Sequence, residues 1–177
     1  RNVHDTGRGA LIASYRQVID GIEVFRDEFR LCMDRNFELV SVSGHLPARQ
    51  SAPANTKDAF RLPSSRAVSL ALMDFAELAA EPAGAVVSGA GEDGYESFTP
   101  PASMRERTDG RAVADGLRAR KVWFHVADAL EPAHYVEVMG ETSAYAYVFS
   151  ARDGHLLFRH SLMQDAAYSY RVWANTA

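Results

Sequence analysis

The sequence predicts an α+β fold, with antiparallel sheets packed on a helix. Three observations predict it. Asp-Gly dipeptides at 20–21 and 153–154 each sit between β-rich runs, the strongest short-range hairpin signal a sequence offers. Residues 15–46, YRQVIDGIEVFRDEFRLCMDRNFELVSVSGHL, alternate with the period of two of a sheet with one wet face. Residues 64–80 instead place Val68, Ala71, Leu72, Phe75 and Ala79 at helical spacing, as one apolar stripe.

In chain order, residues 1–9 are polar, hold Gly7 and Gly9, and read as an entry segment. A first strand is expected over 10–19. Asp20-Gly21 turns the chain into a second strand, and Asp34-Arg35-Asn36 turns it into a third, because Asp and Asn bond their own backbone and tolerate positive φ. In the middle strand Phe25, Phe29, Leu31 and Met33 share one side, and Arg26, Glu28, Arg30 and Asp34 mostly share the other. Ile22 and Val24 lie on the opposite parity from Phe25, so a bulge is expected near 24–27. Pro47 stops the third strand, since proline cannot donate to a ladder, and 48–63 read as a loop. Ser64 or Ser65 is placed to cap the helix, and Pro82 stands just past its end.

Residues 83–110 are rich in Gly, Pro, Ser and charge, and are expected to form a flexible linker, the most mobile part of the chain. Gly84, Gly89, Gly91 and Gly94 lack the G-x-x-x-x-G-K-[ST] pattern of a phosphate loop. A short helical turn, weakened by Gly116, is expected over 111–118. Further strands are expected over 121–126, 134–139, 143–150, 155–163 and 168–174. Tyr145, Tyr147 and Phe149 share one face there, and Tyr168, Tyr170 and Val172 another. These aromatics either form plain core or line an apolar pocket. Gly21 and Gly154 are both expected at positive φ in primed turns.

Composition narrows the function classes. The chain has 177 residues, 47% hydrophobic and 24% charged, ordinary values for one domain or two small ones. A net charge of −4 argues against nucleic-acid binding as the main role. The single cysteine, Cys32, excludes an internal disulfide and reads as a buried or half-buried thiol within a strand. No apolar run approaches the ~20 residues needed to cross a membrane. No signal peptide opens the chain, so an exported form is expected to have lost its leader. The six histidines are scattered, His155 and His160 have opposite parity, and neither H-E-x-x-H nor G-x-S-x-G occurs. No catalytic, cofactor or metal-binding residue is therefore assigned, and an enzyme in its own right is not expected.

Two stretches resemble a known family. Tyr15, Gln17, Gly21, Ile22, Val24, Phe25, Asp34, Leu39, Val40, Ser41 and Val42 resemble the FTP segment of fungalysin- and thermolysin-type propeptides. Arg35-Asn36-Phe37 stands where that family often has a glycine turn. Near the other end, AYAYVFSARDGHLLFRHSLMQDAAYSYRVWA resembles a PepSY-type propeptide module, with Tyr147, Val148, Ala151, Gly154, Leu156, Leu157 and Arg159 matching its hairpin. Ser150 replaces the usual Asp there. The two motifs occur in the family's order and cover roughly half the chain; the middle, 47–118, matches neither.

The resemblance implies two cystatin-like (PepSY-like) lobes: an FTP-like lobe over 1–82, a linker or flexible insertion over 83–118, and a PepSY-like lobe over 119–177. It implies the proregion of a secreted zinc metallopeptidase, acting as intramolecular chaperone and inhibitor of the catalytic domain, with no cofactor, nucleic acid or membrane as partner. The localisation implied is secreted or periplasmic. The alternative is a free-standing extracytoplasmic binding module or protease inhibitor with no attached peptidase. The expected contact with the peptidase is the end of the chain, where Arg171, Trp173, Asn175, Thr176 and Ala177 follow a strand. Arg and Trp are frequent interface anchors, and proteases bind extended segments by main-chain hydrogen bonds.

Overall fold

Asp20 and Gly21 adopt φ of 52° and 81°, both left-handed, as a type I′ turn requires. They join β2 (Leu11–Ile19) to β3 (Ile22–Met33). The structure, a computed structural model, describes residues 2–48, 52, 56–82, 85–113, 115–127 and 129–163. The expected entry segment contributes a strand, β1 (Asn2–His4), which pairs with β2 from Asn2↔Ser14 to His4↔Ile12. β3 bulges where its two apolar phases conflict. While β2 steps from Arg16 to Val18, β3 runs from Glu28 to Glu23, and Arg26 takes a φ of 64°. β4 (Leu39–Gly44) pairs with the far half of β3. In the turn between them the Asp34 carboxylate accepts the backbone N–H groups of Asn36 and Glu38 at 2.8 and 2.9 Å. The left-handed residue there is Phe37, φ 66°, rather than Asn36.

The second half of the chain builds onto the same sheet. β7 (Arg118–Val126), β8 (Ala129–Met139), β9 (Ala144–Ser150) and β10 (Leu156–Ser161) form an antiparallel meander. β7 joins β3 in parallel through the pair Val24↔Trp123. A hairpin of β5 (Val86–Ala90) and β6 (Glu96–Thr99) adds to the start of β7. Among the described residues the result is one ten-stranded mixed sheet in the order β1-β2-β3-β7-β8-β9-β10, with β4 beside β3 and the β5–β6 hairpin beside β7.

This overturns the α+β expectation of two helix-packed, cystatin-like lobes. The fold is predominantly β. Strands from both ends of the sequence bond into a single sheet through β3 and β7, and the middle adds strands rather than helix. Among the described residues the helices are α1 (Thr56–Ala59), α2 (Ser64–Phe75) and α3 (Ala102–Arg105), with one 3₁₀ turn at Glu92–Gly94. Only α2 exceeds about one turn. It stops at Phe75 although the apolar stripe runs on. Leu78 N–H donates to Met73 C=O at 2.9 Å and Glu77 N–H to Asp74 C=O at 3.2 Å, with Glu77 left-handed at φ 52°. That is a Schellman close, made without the glycine that usually announces one. At the other end Pro63 is the N-cap, and Ser64 turns its hydroxyl to the Glu96 carboxylate instead of capping.

The stretch expected as a linker is partly strand and partly core. Phe98, Met104, Val113 and Leu117 are buried against Val68, Leu72 and Phe75 of α2 and against Val136, Val138, Tyr147 and Phe149. The helical turn expected over 111–118 is absent among its described residues; the turn that forms is α3, just before it. Tyr147 and Phe149 are core, with Tyr145 packed alongside, so this aromatic row fills the layer under α2 instead of lining a pocket. The strand expected over 168–174 lies outside the described residues.

Gly154 is left-handed at φ 80°, as expected, but Asp153 is not. The loop is longer than a primed turn: Ser150 N–H donates to His155 C=O at 2.9 Å, and Gly154 N–H to Ser150 C=O at 3.0 Å. Nothing lies within 4 Å of a Cβ built on Gly21, so Gly21→Ala is opposed by the backbone alone, about 1–2 kcal/mol. At Gly154 the new methyl also meets Leu70 at 3.0 Å, so Gly154→Ala is expected to be the more damaging of the two. Thermal melts of both variants check this; equal, unchanged midpoints would contradict it.

Candidate functional site

Two strands share one edge of β7 and then part. β6 pairs with Arg118 and Ala119, and β3 pairs with Trp123. Between them the β2–β3 turn and the loop ahead of β6 diverge, leaving a cleft of about 1230 Å³. One wall is the polar face of the N-terminal strands, with Asn2, Ser14, Arg16, Glu28 and Arg30. The opposite wall is the 91–97 segment, with Glu92, Asp93, Tyr95 and Glu96. Glu23, Arg118 and Arg120 form the floor.

Strand alternation builds the floor. Arg118 and Arg120 project from the same side of β7, opposite Glu137 and Tyr135 of β8. Arg118 Nε donates to Glu137 at 2.6 Å, and Arg120 bonds Glu23 at 2.8 Å. The Tyr95 ring lies under both guanidinium groups, 4.4 Å from Arg118 and 5.1 Å from Arg120. Glu137 is buried and also accepts the hydroxyls of Tyr135 at 2.8 Å and Tyr95 at 3.3 Å. On the first wall Arg30 bonds Glu28 at 2.6 Å, while Arg16 reaches Glu23 at 3.4 Å and Glu28 at 3.5 Å.

These partners and their burial shift the titration of several of the groups. The hydrogen bond from Arg30 holds the Glu28 carboxyl below its ordinary range against a smaller burial penalty. The bond to Glu137 raises the Arg118 pKa further. Burial opposes the charge on Arg120, but Glu23 and the nearby tyrosines outweigh it and the pKa rises. Burial pushes the Tyr95 phenol up. These shifts favour the charged forms of Glu28, Arg118 and Arg120 and the neutral phenol of Tyr95. The Ser64 hydroxyl lies at its rim, but its partner is the Glu96 carboxylate.

A second ionisable group is buried outside the cleft. His134 is 1% exposed, its Nε2 lies 2.7 Å from Leu62 C=O, and its Nδ1 has no partner. Burial pulls its pKa below the ordinary 6.5. The unfolded chain then takes up a proton that the folded chain refuses. The stabilising effect is full above about 6.5 and is lost as pH falls below it, until the folded pKa is passed. Melting temperature should drop between about pH 7.5 and about pH 5.5, and His134→Gln should flatten that drop; an equally steep profile in the variant would exclude His134 as its source.

The expected peptidase-contact residues Arg171, Trp173, Asn175, Thr176 and Ala177 lie outside the described residues. Of the histidines treated as scattered, His45 and His125 stack at 5.2 Å with planes 4° apart, and Asp27 lies 3.2 Å from His125 Nδ1. Among the described residues no group of three or more His, Cys, Asp or Glu is arranged to hold a metal ion. No described helix is long and apolar enough to cross a membrane. The strand that floors the cleft begins at Arg118, three residues ahead of the expected start at Lys121. Arg118 and Arg120, two residues apart on one face of that strand, are the signal of the cleft floor that the sequence carries. No family model matches the chain, and no curated protein matches it at a significant level.

Proposed function

We propose that the chain is a polypeptide-binding module of the proregion kind, which holds part of a zinc metallopeptidase domain in this cleft and so chaperones and inhibits it. One observation carries the reading. The cleft is open, polar and charge-balanced, with Arg16, Arg30, Arg118, Arg120 and Lys121 set against Glu23, Glu28, Glu92, Asp93 and Glu96. A nucleic acid or a polyanion gains little from such a lining. A polypeptide segment carrying both signs and main-chain dipoles gains at every step. The FTP-like and PepSY-like resemblances supply the partner class, and that partner would place the chain outside the cytoplasm.

The test is to mix the folded chain with a purified thermolysin-type catalytic domain. Peptide hydrolysis should slow, and refolding of the denatured catalytic domain should accelerate. E92Q/D93N neutralises two exposed carboxylates on the lip. It should weaken inhibition several-fold while changing stability by no more than about 0.5 kcal/mol. Neither inhibition nor faster refolding by the unaltered chain would sink the reading.

A further inference from the structure

Residues 45–48 follow β4 as a strap laid near the join of β3 and β7. His45 stacks on His125 of β7, with ring centres 5.2 Å apart and planes 4° apart. Asp27 of β3 faces the stack, its Oδ2 3.2 Å from His125 Nδ1. That oxygen is buried and accepts no hydrogen bond, so the imidazole is the group that answers its charge. Three elements remote in sequence thus gather two imidazoles and one carboxylate. The other charges on the packed elements are engaged elsewhere. Glu23 and Glu28 of β3 pair with arginines, and the Arg26 guanidinium lies 4.8 Å over the Phe158 ring. Lys121, on the same face of β7 as His125, lies 5.1 Å over the Phe60 ring. Across from His125, β8 presents Leu130, while its Glu131 accepts the Ser150 hydroxyl and pairs with Arg152. Besides the stack, two bonds hold the strap. His45 N–H donates to Glu28 C=O at 3.3 Å, and the neutral Gln17 carboxamide of β2 donates to Pro47 C=O at 2.9 Å.

We infer that the stacked histidines are a proton-operated latch, which holds the strap while at most one ring is charged and releases it when both are. Histidine is the side chain whose charge changes between about pH 5 and 8. One proton suits the arrangement. With His125 charged, Asp27 offsets the charge and the neutral His45 ring stacks on it without repulsion. A second proton sets two like charges face to face with one carboxylate to offset both. His45 is already exposed, so its ring reaches water by swinging outward, opposed only by the stack and the two bonds of the strap. Asp27 sets the threshold, since it tolerates the first charge and cannot neutralise the second. The device is independent of the cleft, which none of the three side chains lines. It also differs in reach from His134, whose burial acts on the melting of the whole chain, whereas the latch acts on residues 45–48 alone.

Amide exchange and nuclear magnetic resonance of the full chain, taken from about pH 7.5 to about pH 5, test it. After correction for the intrinsic pH dependence of exchange, the His45 amide should lose protection several-fold on acidification. The Gln17 side-chain amide signals should move toward those of a free carboxamide over the same range, while amides of β8 and β9 keep their protection. His45→Phe keeps a ring on the stack without the charge, and should hold the strap at every pH. Asp27→Asn removes the offsetting carboxylate, and should bring the release to higher pH. In the unaltered chain the release must follow the ring C–H signals of His45 and His125 rather than that of His134, which decides the matter even if a variant fails to fold. Protection of His45 that is constant with pH, a release undiminished in folded His45→Phe, a course unmoved in folded Asp27→Asn, or a loss shared by β8 and β9 would each overturn the inference.

Discussion

Trp123→Ala should lower the stability of the chain by about 3–5 kcal/mol, the largest effect expected of any single substitution here. Trp123 is fully buried, and its indole N–H donates to Ile19 C=O at 3.2 Å, across the turn that starts β3. It packs with Ile19, Val24 and Leu130, with Ala59 beside them and the Phe60 ring 5.4 Å away. It is also the β7 member of the pair that joins β7 to β3. Removing the ring leaves a cavity where the two halves of the sheet meet and takes the indole hydrogen bond from the Ile19 carbonyl at the end of β2. Denaturant unfolding followed by circular dichroism gives the magnitude. Hydrogen exchange gives the place: amides of β2 and β3 should lose protection before those of β8 and β9. A loss below about 1 kcal/mol would show that the halves are held elsewhere.

The sequence was most readable where local chemistry and sheet packing agree. Asp20-Gly21 specified its turn because only left-handed residues close a two-residue hairpin. The conflict of phase between Val24 and Phe25 specified the bulge, and Arg26 takes up the extra length in a left-handed conformation. Reading failed where the determining contact is remote. Glu77 ends α2 in a conformation that glycine usually marks, so the apolar stripe runs on to Ala79 with no local stop signal. Phe98, Met104, Val113 and Leu117 follow no period, because they enter the core from turns and a short strand, and their burial depends on α2 and β8 being already in place. The fold class failed for a similar reason. The parallel contact between β3 and β7 spans about a hundred residues of sequence and leaves no local trace, yet it merges the expected lobes into one sheet. The cleft shares that origin, since Arg120 and Glu23 belong to opposite sides of the same join.

Gly44→Ala is expected to cost at least about 2 kcal/mol and to free β4 from β3. Gly44 ends β4 with a φ of 118°, where a side chain is already strained. A Cβ there would stand 1.9 Å from the carbonyl oxygen of Glu28 and 2.9 Å from Phe29 Cα. The obstacle is backbone within a paired strand, so no rotamer change relieves it, and β4 must swing away at this end. The pairs Phe29↔Gly44 and Arg30↔Ser43 go first, and with them the bond from His45 N–H to Glu28 C=O at 3.3 Å. The strain then passes along the strap that follows. His45 stacks on His125, and Pro47 C=O accepts Gln17 Nε2 at 2.9 Å, a partner that the half-buried Gln17 side chain would lose. Because β4 lies at an edge, the damage should stay local, with amides of 39–44 exchanging freely while β8 and β9 keep their protection. A variant that melts with the unaltered chain and keeps β4 protected would mean that the two strands pass farther apart than the structure places them.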